Sequence, residues 1–252
     1  MAYKDNIPVR KSWGQNFITD NNIVNKIIDV INPKSEDNII EIGPGKGALT
    51  LPISKSVSKI HAIEIDPMLV DFLNEKNIEN LEVLNEDILD VDINKFKNSN
   101  TIIGNLPYYI TSPIIFKLLE CENIKKMVFM VQKEVAERIV SENNNKNFSR
   151  ISVMTQTFCD VELKFNVPNS VFYPKPKVDS SIITLAKKNT NINLKDYSDF
   201  IKTAFKQKRK KAKNNLKKIL TQDGLKLIGD KRPENLSVNE YISLFNNYTL
   251  KS

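Results

Sequence analysis

The chain has 252 residues, and its apolar fraction of 40% is typical of a packed core and excludes global disorder. This length allows one large α/β domain and a small second unit. No apolar run approaches the roughly 18 residues of a membrane span, and segment 1–11 lacks the apolar stretch of a secretory signal. We therefore expect a cytoplasmic protein whose cysteines, Cys121 and Cys159, are reduced.

Charge is distributed unevenly along the chain. The formal net charge is +7, but residues 187–252 alone carry 16 Lys and Arg against 6 Asp and Glu, a net charge of +10. The other residues therefore carry a net charge of −3. This asymmetry predicts a polyanion partner, nucleic acid rather than membrane. The lone histidine, His61, lies in an apolar strand pattern, and no metal site is predicted.

Strand and helix patterns alternate after a basic, polar arm at residues 3–14. Asp20 is placed to cap a helix that ends before Pro33, and the pair Asp66 and Pro67 starts another. Because the strands are continuously apolar, they predict a mostly parallel, Rossmann-like sheet covered by helices on both faces. The predicted strands are at residues 38–42, 59–65, 81–84, 101–103 and 125–131.

The end of the sheet and the start of a second domain are visible in the pattern. Two more strands, at residues 161–167 and 178–185, have no helix between them, so we expect an antiparallel pair at the edge of a seven-stranded sheet. Helical patterns follow a polar linker, the last with Ser237 and Glu240 as a capping box. Two domains are predicted, residues 1–186 and a small basic α-helical domain at residues 187–252.

A glycine-rich loop follows the first strand of the sheet. Gly43, Gly45 and Gly47 let a ligand approach the backbone at the start of a helix, where donors and a positive dipole favour a nucleotide. Glu64, about 20 residues later, is placed to bind ribose hydroxyls. This pattern allows both NAD and S-adenosylmethionine.

Asp87 follows the next strand, at the same edge of the sheet. An acid there can accept a hydrogen bond from an adenine amine, and Glu86 is its alternative. The order glycine loop, Glu64, Asp87 suits an adenosine laid across consecutive strand ends.

The stretch Asn105-Leu106-Pro107-Tyr108 decides between the two cofactors. The exocyclic nitrogen of adenine is a poor nucleophile because its lone pair is delocalised into the ring. Acceptors on the Asn105 side chain and the Leu106 carbonyl could bind both amine hydrogens, and Pro107 stiffens the turn. Tyr108 could stack on the base, and Phe172, in a proline-rich loop, could cover its other face. An amine methyltransferase needs this arrangement, whereas a dehydrogenase does not.

The basic run at residues 202–218 contains no acid, which favours contact with RNA or DNA phosphate over a solvated helix face. The residues predicted to bind RNA are Lys206, Lys208, Arg209, Lys210, Lys211 and Lys213.

The chain resembles the small-subunit (16S) ribosomal RNA adenine N6,N6-dimethyltransferases of the kasugamycin-sensitivity type. The resemblance spans residues 11–180 in the order of that family. Its stretches are at residues 14–17, 41–50, 64–66, 85–88, 105–113, 131–136 and 172–180.

The resemblance implies that Asn16, Ile18, Gly43, Glu64, Asp87 and Asn105 line an S-adenosylmethionine site. It also implies that Tyr108 and Phe172 flank the target adenine. The family usually dimethylates two adjacent adenosines in the terminal hairpin loop of small-subunit rRNA, so the expected partner is that rRNA or the immature 30S subunit, and we expect a monomer.

Two alternative functions stay open at this point. The first is a large-subunit rRNA dimethyltransferase of the macrolide-resistance type, which shares the glycine loop and the Asn-(Ile/Leu)-Pro-Tyr motif. The second is a non-catalytic assembly or transcription-factor-like RNA binder. Segment 146–150 departs from the pattern usual in bacterial members, which bears on RNA contacts rather than on the chemistry.

Overall fold

The computed structural model describes residues 7–10 and 13–250. The predicted N-terminal arm lies partly outside the described residues. Strands are β1 Phe17–Ile18, β2 Asn38–Ile42, β3 Lys59–Glu64, β4 Leu81–Asn85, β5 Thr101–Asn105, β6 Lys126–Gln132, β7 Cys159–Val167, β8 Phe172–Tyr173 and β9 Ser180–Lys187. Helices are α1 Asn21–Ile31, α2 Thr50–Ser54, α3 Pro67–Asn74, α4 Thr111–Glu120, α5 Lys133–Val140, α6 Arg150–Phe158, α7 Leu194–Ala204, α8 Ala212–Leu216, α9 Gln222–Ile228 and α10 Val238–Tyr248.

The central sheet has seven strands in the order β4-β3-β2-β5-β6-β9-β7. The first five of these strands pair in parallel, and β9 pairs with β6 in the antiparallel sense. The predicted fold class, a mostly parallel, Rossmann-like sheet of seven strands followed by a small group of C-terminal helices, is confirmed. The antiparallel strand β9 lies one place in from the edge, which β7 occupies.

The order of the sheet brings two distant segments of the chain side by side. Strands β2 and β5 are direct neighbours, with Ile42 opposite Gly104. A Cβ atom at Gly104 would lie 2.6 Å from the Ile42 oxygen, so only glycine fits there. The chain reverses strand order at this point, and ligands of such sheets bind at the carboxyl ends of the strands beside the reversal.

Helix starts agree with the sequence signals. The Asp20 side chain accepts hydrogen bonds from Asn22 N and Ile23 N at the start of α1. Ser237 and Glu240 form the predicted capping box of α10. Within the described residues, no helix is long and apolar enough to cross a membrane.

Contacts divide the chain into two compact units that differ from the predicted domains. One unit contains residues 1–136 and 162–186, and the other contains residues 137–161 and 187–252. The difference is segment 137–161, which was predicted to belong with the sheet. Its α6 packs on the C-terminal helices instead, because Phe158 stacks edge-on against Tyr197 at 5.8 Å and Thr157 donates to the Tyr197 hydroxyl at 3.1 Å.

Candidate active site

A pocket lies at the carboxyl ends of β2, β3, β4 and β5, with about 1010 Å³ of empty space when the open solvent at its mouth is included. The arm that precedes and includes β1 forms one side. The predicted cofactor residues Asn16, Ile18, Gly43, Gly45, Glu64, Asp87 and Asn105 all line this pocket, together with Pro107. The structure thus brings together residues spread over 90 positions of sequence, although their roles toward a ligand stay predictions.

Glu64 ties the glycine loop to the end of β3. The residue is 6% exposed, and its carboxylate accepts from Gly45 N at 3.2 Å and from Asp66 N at 3.0 Å. Burial raises the pKa of Glu64, and these N–H donors partly offset the shift. Helix α2 begins only at Thr50 and has five residues, so the glycines lie in a loop ahead of it. The N–H groups of Gly43, Gly45 and Gly47 donate within the protein, to Ile63 O, Glu64 Oε2 and Pro44 O. Gly43 and Gly45 adopt positive φ, at +65° and +57°.

Asn105, the last residue of β5, is held in a defined orientation. Its side-chain Nδ2 donates to the main-chain oxygen of Asn16 at 2.9 Å. A carbonyl oxygen only accepts hydrogen bonds, so the amide nitrogen must face Asn16 and the amide oxygen must face away from it. The Asn16 side chain in turn donates to Gly14 O at 2.9 Å. The fold therefore presents Asn105 Oδ1 as an acceptor in the pocket wall.

The motif that follows Asn105 is divided between pocket and core. Pro107 lines the pocket, and its oxygen accepts from Ile110 N at 3.2 Å and from Thr111 Oγ1 at 3.1 Å. Leu106 is 1% exposed and donates its N–H to Met130 O at 3.0 Å. These bonds fix the turn between β5 and α4.

Tyr108 lies outside the residues that line the pocket and is half-buried. Its hydroxyl shares a hydrogen bond with Ser180 Oγ at 2.8 Å, and burial raises the pKa of the phenol. The next residue, Tyr109, lines the pocket and is 61% exposed.

Phe172 lies in an apolar environment. It is 4% exposed, belongs to the same buried cluster as Ile18 and Ile182, and pairs with Ile18 between β1 and β8. The proline-rich loop was predicted to offer this ring to a base. In the structure the ring is part of the core that supports the arm, and its role as a second wall for the target adenine stays a prediction.

The two acids that compete for an adenine amine both line the pocket. Asp87 is half-buried, and its Oδ1 accepts from Leu89 N at 2.9 Å. Glu86 is exposed and faces Lys95 Nζ at 3.4 Å. Asp87 is the less exposed of the two, and its role toward an adenine amine stays a prediction.

Glu41 is a pocket residue that the sequence reading missed. It is 2% exposed within β2 and accepts from Thr50 Oγ1 at 2.7 Å. Burial raises its pKa to about 7, against the lowering effect of that hydrogen bond and with a further raise from Glu64. A glutamate inside an otherwise apolar strand was the available signal. Trp13 and Gln15 also line the pocket and carried no separate signal.

Most of the residues that line the pocket are uncharged, and those that carry charge are mostly acidic. Its described lining includes four acids, Glu41, Glu64, Glu86 and Asp87, and one base, Lys46. Glu41, with a pKa of about 7, is only partly ionised at neutral pH, but the balance of charge stays negative. Such a lining favours a cationic ligand over one that carries several phosphates.

The predicted RNA-binding residues lie in the other unit, around the turn between α7 and α8. The run at residues 202–218 contains no acid of its own, but it does not stay free of acidic partners. Asp230 lies beyond the run, and its Oδ1 contacts Lys211 and Lys213 at 2.8 and 3.0 Å. They hold the pKa of Asp230 at about 2. Lys208 Nζ donates to Lys146 O at 2.8 Å. The exposed members are Lys206, Arg209, Lys210 and Lys211.

Comparisons with known proteins agree with this architecture. The family model for ribosomal RNA adenine dimethylase matches residues 7–250. The ribosomal RNA small subunit methyltransferase A of Mycoplasma capricolum is 43% identical over an alignment 257 residues long, and the alignment covers 94% of this chain and 96% of that protein. The protein of the same name from Francisella tularensis subsp. novicida is 42% identical over 261 residues, covering 98% and 99%.

Solved structures share the fold. A dimethyladenosine transferase from Plasmodium falciparum has a TM-score of 0.80 at 29% identity, covering 90% of this chain and 95% of that chain. The 23S rRNA methyltransferase ErmE has a TM-score of 0.72 at 24% identity, covering 91% and 98%, and indicates the fold alone. The match to the family model over almost the whole described chain, with relatives above 40% identity, leads to one conclusion: the chain belongs to the ribosomal RNA adenine dimethylase family.

Proposed function

We propose that the chain dimethylates the exocyclic amine (N6) of two adjacent adenosines in the 3′-terminal hairpin loop of 16S rRNA, using S-adenosylmethionine. The names of its relatives support a small-subunit substrate. The tract from Leu106 to Pro113, followed by Gln132-Lys133-Glu134, supports the same choice over a large-subunit substrate. In this proposal the rRNA, naked or within an immature 30S particle, is the partner of a cytoplasmic monomer.

The orientation of Asn105 carries the proposal. Asn16 O engages the amide nitrogen, so Asn105 Oδ1 is available to accept one hydrogen of an adenine amine. The Leu106 carbonyl is the second acceptor that we assign, because Pro107 O is already engaged by two donors. Two acceptors on one NH₂ group favour a pyramidal nitrogen and aim its lone pair away from the ring.

When bound, S-adenosylmethionine supplies a methyl group on a positively charged sulfur. The acidic lining fits such a ligand, since its sulfonium and ammonium outweigh one carboxylate. Glu64 and Asp87 are the residues we assign to its ribose and adenine. Glu64 also engages the N–H of Gly45, which a dinucleotide-binding loop would turn toward a pyrophosphate. The site therefore fits S-adenosylmethionine better than NAD.

In the transfer, the role of this chain is to position the target amine and to remove water from around it. Holding the amine against the cofactor converts a bimolecular step into one between neighbours. Asn105 and Leu106 act on the nitrogen, and Tyr108 and Phe172 are the aromatic residues that we assign to the faces of the base. No strong general base is required, because the proton becomes acidic once the nitrogen is alkylated.

The second unit supplies rRNA contacts in this proposal. Lys206, Arg209 and Lys210 are the exposed cations best suited to phosphate, and Lys208, Lys211 and Lys213 add charge nearby. We retain residues 1–186 as the methyltransferase domain in a functional sense, and residues 187–252 as the rRNA-binding domain.

One experiment tests the proposal against its alternatives. Labelled S-adenosylmethionine is incubated with the protein and with small subunits, or large-subunit rRNA, that lack the modification. We expect label on two adjacent adenosines of the small-subunit rRNA. Label on the large-subunit rRNA would support the macrolide-resistance type. No label and no affinity for S-adenosylmethionine would instead leave a non-catalytic RNA binder.

A further inference from the structure

One buried carboxylate outside the predicted site, Asp66, joins the N-terminal arm to helix α3. Asp66 is 0% exposed. Its Oδ1 accepts from Met68 N at 3.1 Å and so caps α3. Its Oδ2 accepts from Gln15 Nε2 at 2.8 Å and lies 3.6 Å from Arg10 Nε. A cap alone would need only the first of these contacts.

The arm residues also bind each other, which closes a ring of contacts. Arg10 N donates to the Gln15 side-chain oxygen at 2.8 Å. The Arg10 guanidinium lies over the Trp13 ring, 4.4 Å from its centroid, at cation–π distance. Gln15 therefore receives a donor from Arg10 at one end of its amide and gives one to Asp66 at the other.

This ring holds the segment that walls the pocket. Trp13 and the five residues that follow it all line the pocket. Phe17 packs closely on the glycine loop, because a Cβ atom added at Gly45 would lie only 3.1 Å from its ring. The other end of the segment is anchored where Thr19 N donates to Val171 O at 2.8 Å. The arm is thus fixed on both sides of the wall, at Asp66 and at Val171.

We propose that Asp66 is a positioning residue that latches the N-terminal arm over the cofactor pocket through Gln15 and Arg10, and that this latch limits the rate at which the cofactor leaves. The identity of the ligand rests on the proposed function; the latch itself does not. If the arm opens, the buried Asp66 carboxylate loses the hydrogen bond from Gln15 and the nearby Arg10 cation. The closed position of the arm is therefore strongly favoured.

The test uses Trp13, which is the one tryptophan of the chain. Acrylamide quenching of its fluorescence, without any ligand, is compared between wild type, Asp66→Asn and Arg10→Met. Asparagine caps a helix as well as aspartate does, so Asp66→Asn removes the charge on the latch and keeps the start of α3. Asp20→Asn is the matched control, because Asp20 follows the Thr19 anchor at the far end of the segment and its side chain caps α1 by accepting from Asn22 N and Ile23 N.

We expect quenching to rise severalfold in both latch variants and to stay at the wild-type value in Asp20→Asn. Stopped-flow fluorescence should then give S-adenosylmethionine dissociation about tenfold faster in the latch variants. The KM for the cofactor should rise together with the dissociation rate, whereas kcat at saturating cofactor should change little.

Unchanged quenching in Asp66→Asn and Arg10→Met would overturn the latch. Increased quenching with an unchanged dissociation rate would overturn its control of cofactor exit. If wild type binds no S-adenosylmethionine, the proposed function fails, yet the ligand-free quenching still decides whether Asp66 holds the arm. Circular dichroism melting of each variant separates local release of the arm from unfolding.

Discussion

Asn105 Nδ2 donates to Asn16 O at 2.9 Å, which joins the end of a central strand to the arm across the pocket. This bond does two things at once. It holds the arm against β5, and it sets the side-chain oxygen of Asn105 as an acceptor. A single residue thus links the cofactor wall to the position that we assign to the target amine.

Replacing Asn105 should separate these two effects. Asn105→Ala removes both the acceptor and the bond to Asn16, and we expect methyl transfer to fall about 100-fold, the scale for loss of one preorganised polar contact. Asn105→Asp keeps an acceptor but loses the donor to Asn16, so its cofactor affinity should fall as well. Single-turnover methylation and calorimetric titration of the cofactor measure the two effects, and full activity in Asn105→Ala would refute the role.

Glu64 should control cofactor affinity. Glu64→Gln loses the charge that we assign to the ribose hydroxyls and weakens the tie to Gly45, so we expect the Kd for S-adenosylmethionine to rise at least about tenfold. Glu82→Gln is the matched control, since Glu82 lies on the neighbouring strand, is half exposed and bonds Lys59. Equal affinities for the two variants would contradict the assignment.

Glu41 should make stability depend on pH. Its folded pKa is about 7 and its ordinary value is 4.5, so the folded state binds the proton more tightly than the unfolded state does. The contribution of Glu41 to the free energy of unfolding is therefore largest below pH 4.5. It decreases as the pH rises toward 7, by roughly 3 kcal/mol in all. Urea unfolding at pH 5 and pH 8 should show this fall in wild type and a smaller one in Glu41→Gln. Parallel pH profiles would show that Glu41 does not titrate as described.

Phe172 distinguishes a stacking wall from plain core. Because the ring is 4% exposed, Phe172→Ala should cost about 3–5 kcal/mol of stability whichever role it has. Phe172→Leu keeps most of the apolar volume and removes the aromatic face. If the ring stacks on the target adenine, kcat of the leucine variant should drop while its melting temperature stays close to wild type. An undiminished kcat would leave Phe172 in the core only.

The exposed cations between α7 and α8 should carry much of the salt-dependent rRNA affinity. Replacing Lys206, Arg209 and Lys210 by alanine should weaken rRNA binding and lower the slope of log K against log salt by about 2 to 3. The control pair is Lys211→Ala with Lys213→Ala, whose charges are partly neutralised by Asp230 and should contribute less per residue. A steeper loss in the control pair would place the RNA elsewhere on this unit.

Local chemistry made much of the fold predictable. The continuously apolar strands, the caps at Asp20 and Ser237 and the start of α3 at Asp66 are all confirmed, because each depends on neighbours in sequence. The placement of segment 137–161 was not predictable in this way. The sequence pattern of its helix is the same whether the apolar side faces the sheet or Tyr197. Only long-range packing determines which of the two it contacts.

The pocket residues that follow a strand could be predicted from the sequence, because the end of a strand fixes their place in the sheet. Gly43, Glu64, Asp87 and Asn105 follow parallel strands, and such ends meet at one edge of the sheet. Asn16 and Ile18 came only from the family resemblance, since nothing in an arm sequence says where it folds back. Asp66 was predicted only to start a helix, because its contacts with Gln15 and Arg10 join residues more than 50 positions apart in sequence.

The pairing of β1 with β8 has a consequence for synthesis of the protein. It sets Phe17 opposite Tyr173, so the two strands come from nearly opposite ends of the sheet-bearing unit. A nascent chain therefore brings the glycine loop, Glu64 and Asn105 out of the ribosome well before the partner of its arm exists. Contacts between segments so far apart in sequence form late. The arm side of the pocket is thus completed last, and a chain released before Phe172 would have the strand ends of the site without β1 paired.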